Sequence, residues 1–283
     1  MKILIFGASG QVGSALLEVL SNYDVIPINK AECDITNPNH IKNIIDQNKS
    51  NLIINAAAYT KVDQAEDEKD IVFEINSNAP KVMAEKAFEY KVPFIHFSTD
   101  YVFDGKKKNA YVENDITNPL SIYGKSKLEG ERQIQDIGGQ FYIFRISWIY
   151  SKIRKNFYLS ILEQLKENRE LRVVHDQFGV PTSNYFIARE IKKIINKFNI
   201  NNKGIYNLTP NGRSSWFDFA KLIISKTNPE FNYENLKKIS TQEFKPLAPR
   251  PKNSVLNNNK IQSTFMIEFD DWEHELDQFI NES

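Results

Sequence analysis

Five short apolar runs divide the first half of the chain: Lys2–Phe6, Asp24–Ile28, Asn51–Asn55, Phe94–Phe97 and Phe141–Ile146. Helical segments fall between them, near Gln11–Ser21, Pro38–Asn48, Lys69–Tyr90 and Ser121–Asp136. Runs this apolar leave no face for water, so the alternation predicts an α/β fold whose parallel sheet is covered on both sides. Ligands of such sheets bind beyond the carboxyl ends of the strands. Gly7, Asn55-Ala56, Ser98-Thr99 and Ser147-Trp148 all stand at those ends, so four segments converge on one crevice.

The first strand runs directly into Gly7-Ala-Ser-Gly10-Gln-Val-Gly13 and then into a helix. Strand, glycine turn and helix in that order form a nucleotide-binding pattern: Gly7 for the tight turn, Gly10 for close approach of a pyrophosphate, Gly13 for helix-on-strand packing. The pyrophosphate would rest on free amides at the positive end of the helix. The spacing is G-x-x-G-x-x-G rather than G-x-G-x-x-G.

After Trp148 the pattern changes. A helix is expected near Asn156–Asn168, a strand at Leu171–Val174, a polar turn region at Asp176–Ser183, a helix over Asn184–Phe198 and a strand at Gly204–Leu208. Beyond Thr209 the chain reads as a helix over Ser214–Lys226, an irregular Asn228–Pro251 and a terminal helix near Asp270–Ile280. This tail is expected to form a smaller domain over the crevice, with Leu171–Leu208 returning to extend the sheet.

Lys plus Arg and Asp plus Glu number 36 each among 283 residues, so no global field points to nucleic acid or an anionic membrane. The one cysteine, Cys33, cannot form an internal disulfide, no Cys/His cluster has zinc spacing, and a cytoplasmic setting is expected. His96 lies within an apolar strand and reads as a satisfied core imidazole rather than a ligand or base.

Tyr123-Gly-Lys-Ser-Lys127 places a phenol and an ammonium four residues apart on one helix face. A neighbouring cation favours the phenolate, which tunes a proton donor toward neutral pH. Together with the glycine turn, this pair resembles the extended short-chain dehydrogenase/reductases. Further segments resemble their dTDP-4-dehydrorhamnose reductase branch: Asn55-Ala-Ala-Ala-Tyr-Thr-Lys-Val-Asp63, Phe97-Ser-Thr-Asp-Tyr-Val-Phe-Asp-Gly105, Asn118-Pro-Leu-Ser-Ile-Tyr-Gly-Lys-Ser-Lys127 with Gly130-Glu131, Arg145-Ile-Ser-Trp148, Asp176-Gln-Phe-Gly-Val-Pro-Thr182, and Pro249-Arg-Pro251 with Asn253-Ser254.

The resemblance implies a doubly wound Rossmann-type sheet with a smaller C-terminal substrate-binding domain. Residues 1–148 with a returning segment 171–208 would bind NADPH, and 149–170 with 209–283 would bind substrate. It implies Thr99, Tyr123 and Lys127 as the catalytic set. Tyr123 would protonate the substrate oxygen, Lys127 would lower the phenol and hold the nicotinamide ribose, and Thr99 would fix the same oxygen. The cofactor set would be Gly7, Gly10, Gln11, Val12, Gly13, Asn29, Lys30, Asp34, Ile35, Ala56, Ala57 and Ala58, together with Tyr123 and Lys127. Thr60, Val62, Tyr101, Trp148 and Arg250 would line the sugar-nucleotide pocket, with the Arg250 guanidinium suited to phosphate oxygens. Asn76 resembles a family asparagine inside the long fourth helix.

The implied reaction is reduction of the 4-keto group of dTDP-4-dehydro-L-rhamnose. The alternatives are another nucleotide-linked 4-keto-sugar or a non-catalytic regulatory subunit of the same fold. Strand two ends in Asn29-Lys30 where an NAD-selective fold places a carboxylate, so NADPH is expected, with NADH as the second candidate. Mg2+ and a homodimer enter through the resemblance alone.

Overall fold

The computed structural model describes residues 1–167 and 170–281. Its central element is a six-stranded, all-parallel sheet. Strands β1 (Lys2–Phe6), β2 (Asp24–Ile28), β3 (Leu52–Asn55), β4 (Phe94–Thr99) and β5 (Phe141–Ile146) are joined by an edge strand, Gly204–Asn207, in the order edge-β5-β4-β3-β1-β2. The five apolar runs are these strands. β1 lies between β2 and β3, pairing Lys2 with Asp24 and Ile3 with Leu52, so the order reverses there and leaves a crevice above its carboxyl end.

Helix α1 (Gln11–Val19) and the helix Asn184–Ile194 cover one face with Ala15, Leu16, Ile187 and Ile191. Helices α2 (Pro38–Asn48), α3 (Lys69–Phe73), α4 (Ala79–Glu89) and α5 (Ile122–Ile137) follow in the chain, and Ile41, Met83 and Ile134 carry the opposite core. The expected doubly wound parallel fold is therefore the observed one. The expected single helix over Lys69–Tyr90 is interrupted by a π-helical turn, Glu74–Asn78, between α3 and α4. That extra residue in the turn rotates Asn76 fully inward, where it serves the site.

Outside the sheet, two expectations are corrected. Leu171–Val174 does not extend the sheet but pairs in parallel with Leu236–Ile239, inside a stretch read as irregular. Arg172 is exposed between buried Leu171 and Val173, and Lys237-Lys238 are exposed between Leu236 and Ile239, so neither segment is dry on both faces. Such strands belong to a small two-stranded ribbon, not to a sheet covered on both faces. Of the returning segment 171–208, only the later part, helix Asn184–Ile194 and the edge strand, rejoins the sheet. The expected end of the helix after Asn156, Asn168, lies outside the described residues; the helix itself spans Phe157–Lys166. A separate aromatic core joins Tyr150, Tyr158, Phe219, Trp272 and Phe279 beside the ribbon.

Candidate active site

The glycine turn is built by contact rather than by flexibility alone. Gly7 has φ +77°, and a Cβ there would lie 2.5 Å from the Ala57 amide nitrogen. β1 and β3 therefore release their chains side by side, with the small residues Ala56, Ala57 and Ala58 forming the adjacent wall. A Cβ on Gly13 would fall 2.2 Å from the Gly7 carbonyl oxygen, so α1 packs directly on the turn. The Gly10 N-cap provides no side-chain cap, which leaves the first amides of α1, from Gln11 through Val12 and Gly13, open to an anion.

The Gln11 side chain is committed elsewhere: its Oε1 accepts from Ser151 Oγ at 2.7 Å. From the same Ser151–Asn156 loop, Arg154 Nε donates to the Ser9 carbonyl at 3.1 Å. At the end of β2, the Asn29 Oδ1 is buried without a partner, and Lys30 is exposed beside it. Asp34 is exposed and turned to Thr36, whose amide donates at 3.0 Å, while Ile35 is half-buried. An uncapped helix start, a small-residue wall and an orphaned acceptor at the strand-two end together fit a dinucleotide.

Thr99 ends β4 and is buried. Its hydroxyl accepts from the Tyr101 amide and donates to Asp100 Oδ1, both at 3.1 Å, and it stands near enough to the Tyr123 phenol to act on it. Tyr123 stands in the first turn of α5, capped by Ser121, which accepts from the Gly124 amide. Gly124 permits this approach, since a Cβ there would lie 2.3 Å from the Tyr101 carbonyl oxygen. The Tyr101 and Tyr123 rings meet edge to face at 5.9 Å. The π-turn residue Asn76 exchanges hydrogen bonds with the Tyr59 backbone and donates to Ser126 Oγ at 3.0 Å, which holds α5 against the loop carrying Thr60 and Val62.

Burial pushes the Tyr123 phenol well above its ordinary value, and the Thr99 hydroxyl pulls against it. The expected coupling to Lys127 differs here. Lys127, 1% exposed, donates from Nζ to the Phe97 carbonyl at 2.6 Å, and the same Nζ lies 3.1 Å from His96 Nε2. Burial lowers its ammonium to about 7, with Glu131 opposing. His96 is the satisfied core imidazole the strand pattern suggested, yet it touches the lysine at the heart of the site.

Asp100 joins the two halves of the molecule. Its carboxylate accepts from Thr99, from Ser147 Oγ at 3.2 Å and from Ser254, and burial raises it to about 6. Arg250 is not a surface arginine. It donates to Asp63 Oδ2 at 2.9 Å and its charge acts on the Tyr101 phenol, which burial nonetheless carries up to about 12. Trp148, at φ +47°, stacks on Trp216 with centroids 3.6 Å apart, and its indole lies 2.4 Å from where a Gly179 Cβ would be. Val62 is half-buried and Thr60 exposed. Trp216 and Asp100 escaped the sequence reading; a Trp following Ser215 looks like any helix start. Among the described residues, no group of three or more His, Cys, Asp or Glu is placed to hold a metal ion, and no helix is long and apolar enough to cross a membrane.

A family model described as RmlD substrate binding domain matches residues 1–283. The dTDP-4-dehydrorhamnose reductase of Aggregatibacter actinomycetemcomitans is 40% identical over 97% of each chain, and that of Escherichia coli K12 is 35% identical over 100% of this chain and 98% of the other. The crystal structure of dTDP-4-dehydrorhamnose reductase from Bacillus anthracis in complex with NADP superposes with TM-score 0.94 at 35% identity, covering 100% of this chain and 99% of that one. Matched along its whole length in sequence and in fold, the chain belongs to the dTDP-4-dehydrorhamnose reductase family.

Proposed function

We propose that this chain is an NADPH-dependent oxidoreductase that reduces the 4-keto group of dTDP-4-dehydro-L-rhamnose to give dTDP-L-rhamnose, a step of nucleotide-sugar biosynthesis. The observation that carries the reading is the meeting of the Thr99 hydroxyl and the Tyr123 phenol at the end of β4, with buried Lys127 one helical turn away. The family and the NADP complex of the Bacillus anthracis protein support the cofactor, and the open amides of α1 with the orphaned Asn29 Oδ1 fit it.

NADPH, when bound, supplies a hydride to the substrate carbonyl carbon. Tyr123 gives its phenolic proton to the oxygen on which charge develops, which lowers the barrier where it is highest. Thr99, by turning its hydroxyl proton from Asp100 to that oxygen, would hold it beside the phenol. Lys127 would bind the ribose side of the cofactor. Gly7, Gly10 and Gly13, the amides of Gln11 and Val12, Asn29, Lys30, Asp34, Ile35, and Ala56, Ala57 and Ala58 form the cofactor seat. Residues 1–148 with the returning 184–207 act as its domain.

On the substrate side, Trp148, backed by Trp216, offers a flat platform for the sugar ring. Val62 and Thr60 flank it, and Tyr101 presents Arg250 toward the diphosphate. A guanidinium fork and an aromatic plane are what a nucleoside diphosphate sugar requires. The deciding experiment follows NADPH absorbance with purified protein and dTDP-4-dehydro-L-rhamnose, against UDP- and GDP-linked 4-keto-sugars. Rapid oxidation with the dTDP-sugar and formation of dTDP-L-rhamnose are expected. Oxidation with only another sugar nucleotide would reassign the substrate, and none at all would remove the enzymatic reading.

A further inference from the structure

A chain of buried polar groups crosses the sheet beneath the site. The Ala57 amide donates to Asn55 Oδ1 at 3.0 Å, Asn55 Nδ2 lies 3.1 Å from His96 Nδ1, and His96 Nε2 lies 3.1 Å from Lys127 Nζ. Asn55, His96 and Lys127 are each about 1% exposed, so no solvent competes for these contacts. The Ala57 N–H fixes which end of the Asn55 carboxamide is the oxygen, since reversal would set two donors against each other. Asn55 therefore presents its N–H to His96 Nδ1, which must accept. The imidazole proton is left on Nε2, facing Nζ.

From this geometry we infer that His96 is a positioning residue: a neutral, Nε2-protonated imidazole, its tautomer set by Asn55, that donates to Lys127 and aims it at the cofactor. Nζ as a free amine has one lone pair for Nε2–H and two protons, one for the Phe97 carbonyl at 2.6 Å and one for the cofactor ribose. An ammonium has no lone pair to accept with. Protonating Lys127 would move the imidazole proton to Nδ1, reverse Asn55 and break its bond to the Ala57 amide. The protonation of Lys127 is thus linked through two side chains to the backbone wall where the dinucleotide would lie. Burial, which depresses both His96 and Lys127, favours the neutral pair. The other charges near it are Glu131 on α5, which raises Lys127, and Arg145 on β5, which takes both Glu131 oxygens at 2.9 and 2.7 Å.

The inference rests on Lys127 acting at the cofactor, but its first test does not. Long-range 1H–15N spectra of histidine-labelled protein without cofactor resolve tautomers, and His96 is the buried imidazole beside the exposed His40, His175 and His274. An Nε2–H tautomer unchanged from pH 6 to 8 is expected. An Nδ1–H tautomer, or an imidazolium at His96 within that range, would overturn the inference whatever the enzyme does. The second test is kinetic. His96→Phe removes the donor, so kcat should fall about tenfold at unchanged KM for the sugar nucleotide, and the Lys127 limb of the pH profile should move to higher pH. His96→Gln, which keeps an N–H donor, should recover part of the rate. Loss of thermal stability with an unmoved pH limb would mean a purely structural histidine. Should His96→Phe not fold, the tautomer decides alone, and silence of the wild type toward NADPH would end the proposed reaction while leaving the tautomer to stand or fall separately.

Discussion

The two sides of the crevice are assembled by different means. On the cofactor side, backbone meets backbone: Gly7 against Ala57, Gly13 against Gly7, Gly124 against Tyr101, and Gly130, whose Cβ would lie 2.3 Å from the Asn76 carbonyl oxygen. On the substrate side, side chain meets side chain: Trp148 on Trp216, Arg250 on Asp63 and Tyr101, and the Tyr150 ring edge-on to Phe279 at 4.8 Å. Backbone contacts at fixed strand ends tolerate no added atom, whereas stacked and charged side chains can shift and re-pair. One side is a rigid seat, the other a wall that can adjust.

Substitutions can break this contrast, and the largest expected effect lies at the chemistry itself. Tyr123→Phe keeps the ring that meets Tyr101 but removes the proton, so kcat should drop by about 10²–10⁴ while the NADPH Kd measured by fluorescence stays within about twofold. Turnover near wild type would show that another group is the acid. Gly124→Ala tests the rigid side. Its Cβ has no room beside the Tyr101 carbonyl, so α5 must move, at roughly 1–3 kcal/mol of stability read by denaturant melts. The kcat should fall with it, because Thr99 and Tyr123 part. An alanine accepted without loss would mean that this side is as adaptable as the other.

Arg250→Ala probes the adaptable side. KM for the dTDP-sugar should rise roughly tenfold, the worth of ~1.4 kcal/mol, with the NADPH Kd unchanged, because a diphosphate contact is equally present in ground and transition states. An unchanged KM would confine Arg250 to its contacts with Asp63 and Tyr101. The smallest effect is expected at the joint. Asp100, raised to about 6 by burial, holds its proton more tightly folded than unfolded. Its favourable contribution is complete below about pH 4 and lost as the pH rises through 6. Asp100→Asn, which has no proton to lose, should therefore gain a few degrees of Tm over wild type at pH 8 and nothing at pH 4. A difference independent of pH would place the effect in the hydrogen bonds to Thr99, Ser147 and Ser254 instead.

Legibility follows the same division. The five sheet strands and α1, α2 and α5 were readable because each is a local pattern: a run with no wet face, or a cap followed by a 3.6-residue period. The ribbon of Leu171–Val174 and Leu236–Ile239 was not, since its partly wet strands lie more than sixty residues apart and their exposed cations disguise the buried residues. The π-turn at Glu74–Asn78 was also hidden, because its residues suit an α-helix equally well. Thr99, Tyr123 and Lys127 could be picked out as candidates from their motifs. That Thr99 rather than Lys127 is the group acting on the phenol could not, since it depends on where β4 stops relative to the first turn of α5.

By itself, the sequence determined what short-range chemistry can determine: a doubly wound parallel sheet, a glycine turn fit for a dinucleotide, and a phenol and an amine one helical turn apart. Steric exclusion and hydrophobic periodicity act within a few residues, so they are written in order along the chain. Only the tertiary structure decided that Asn55 and His96 reach Lys127 across neighbouring strands, that Trp216 backs Trp148, and that Asp100 gathers hydroxyls from Thr99, Ser147 and Ser254. Those pairings join residues up to about 150 positions apart, from Asp100 to Ser254. They exist because burial removes water as a competing partner, which makes the strength and direction of each polar contact a property of the folded interior.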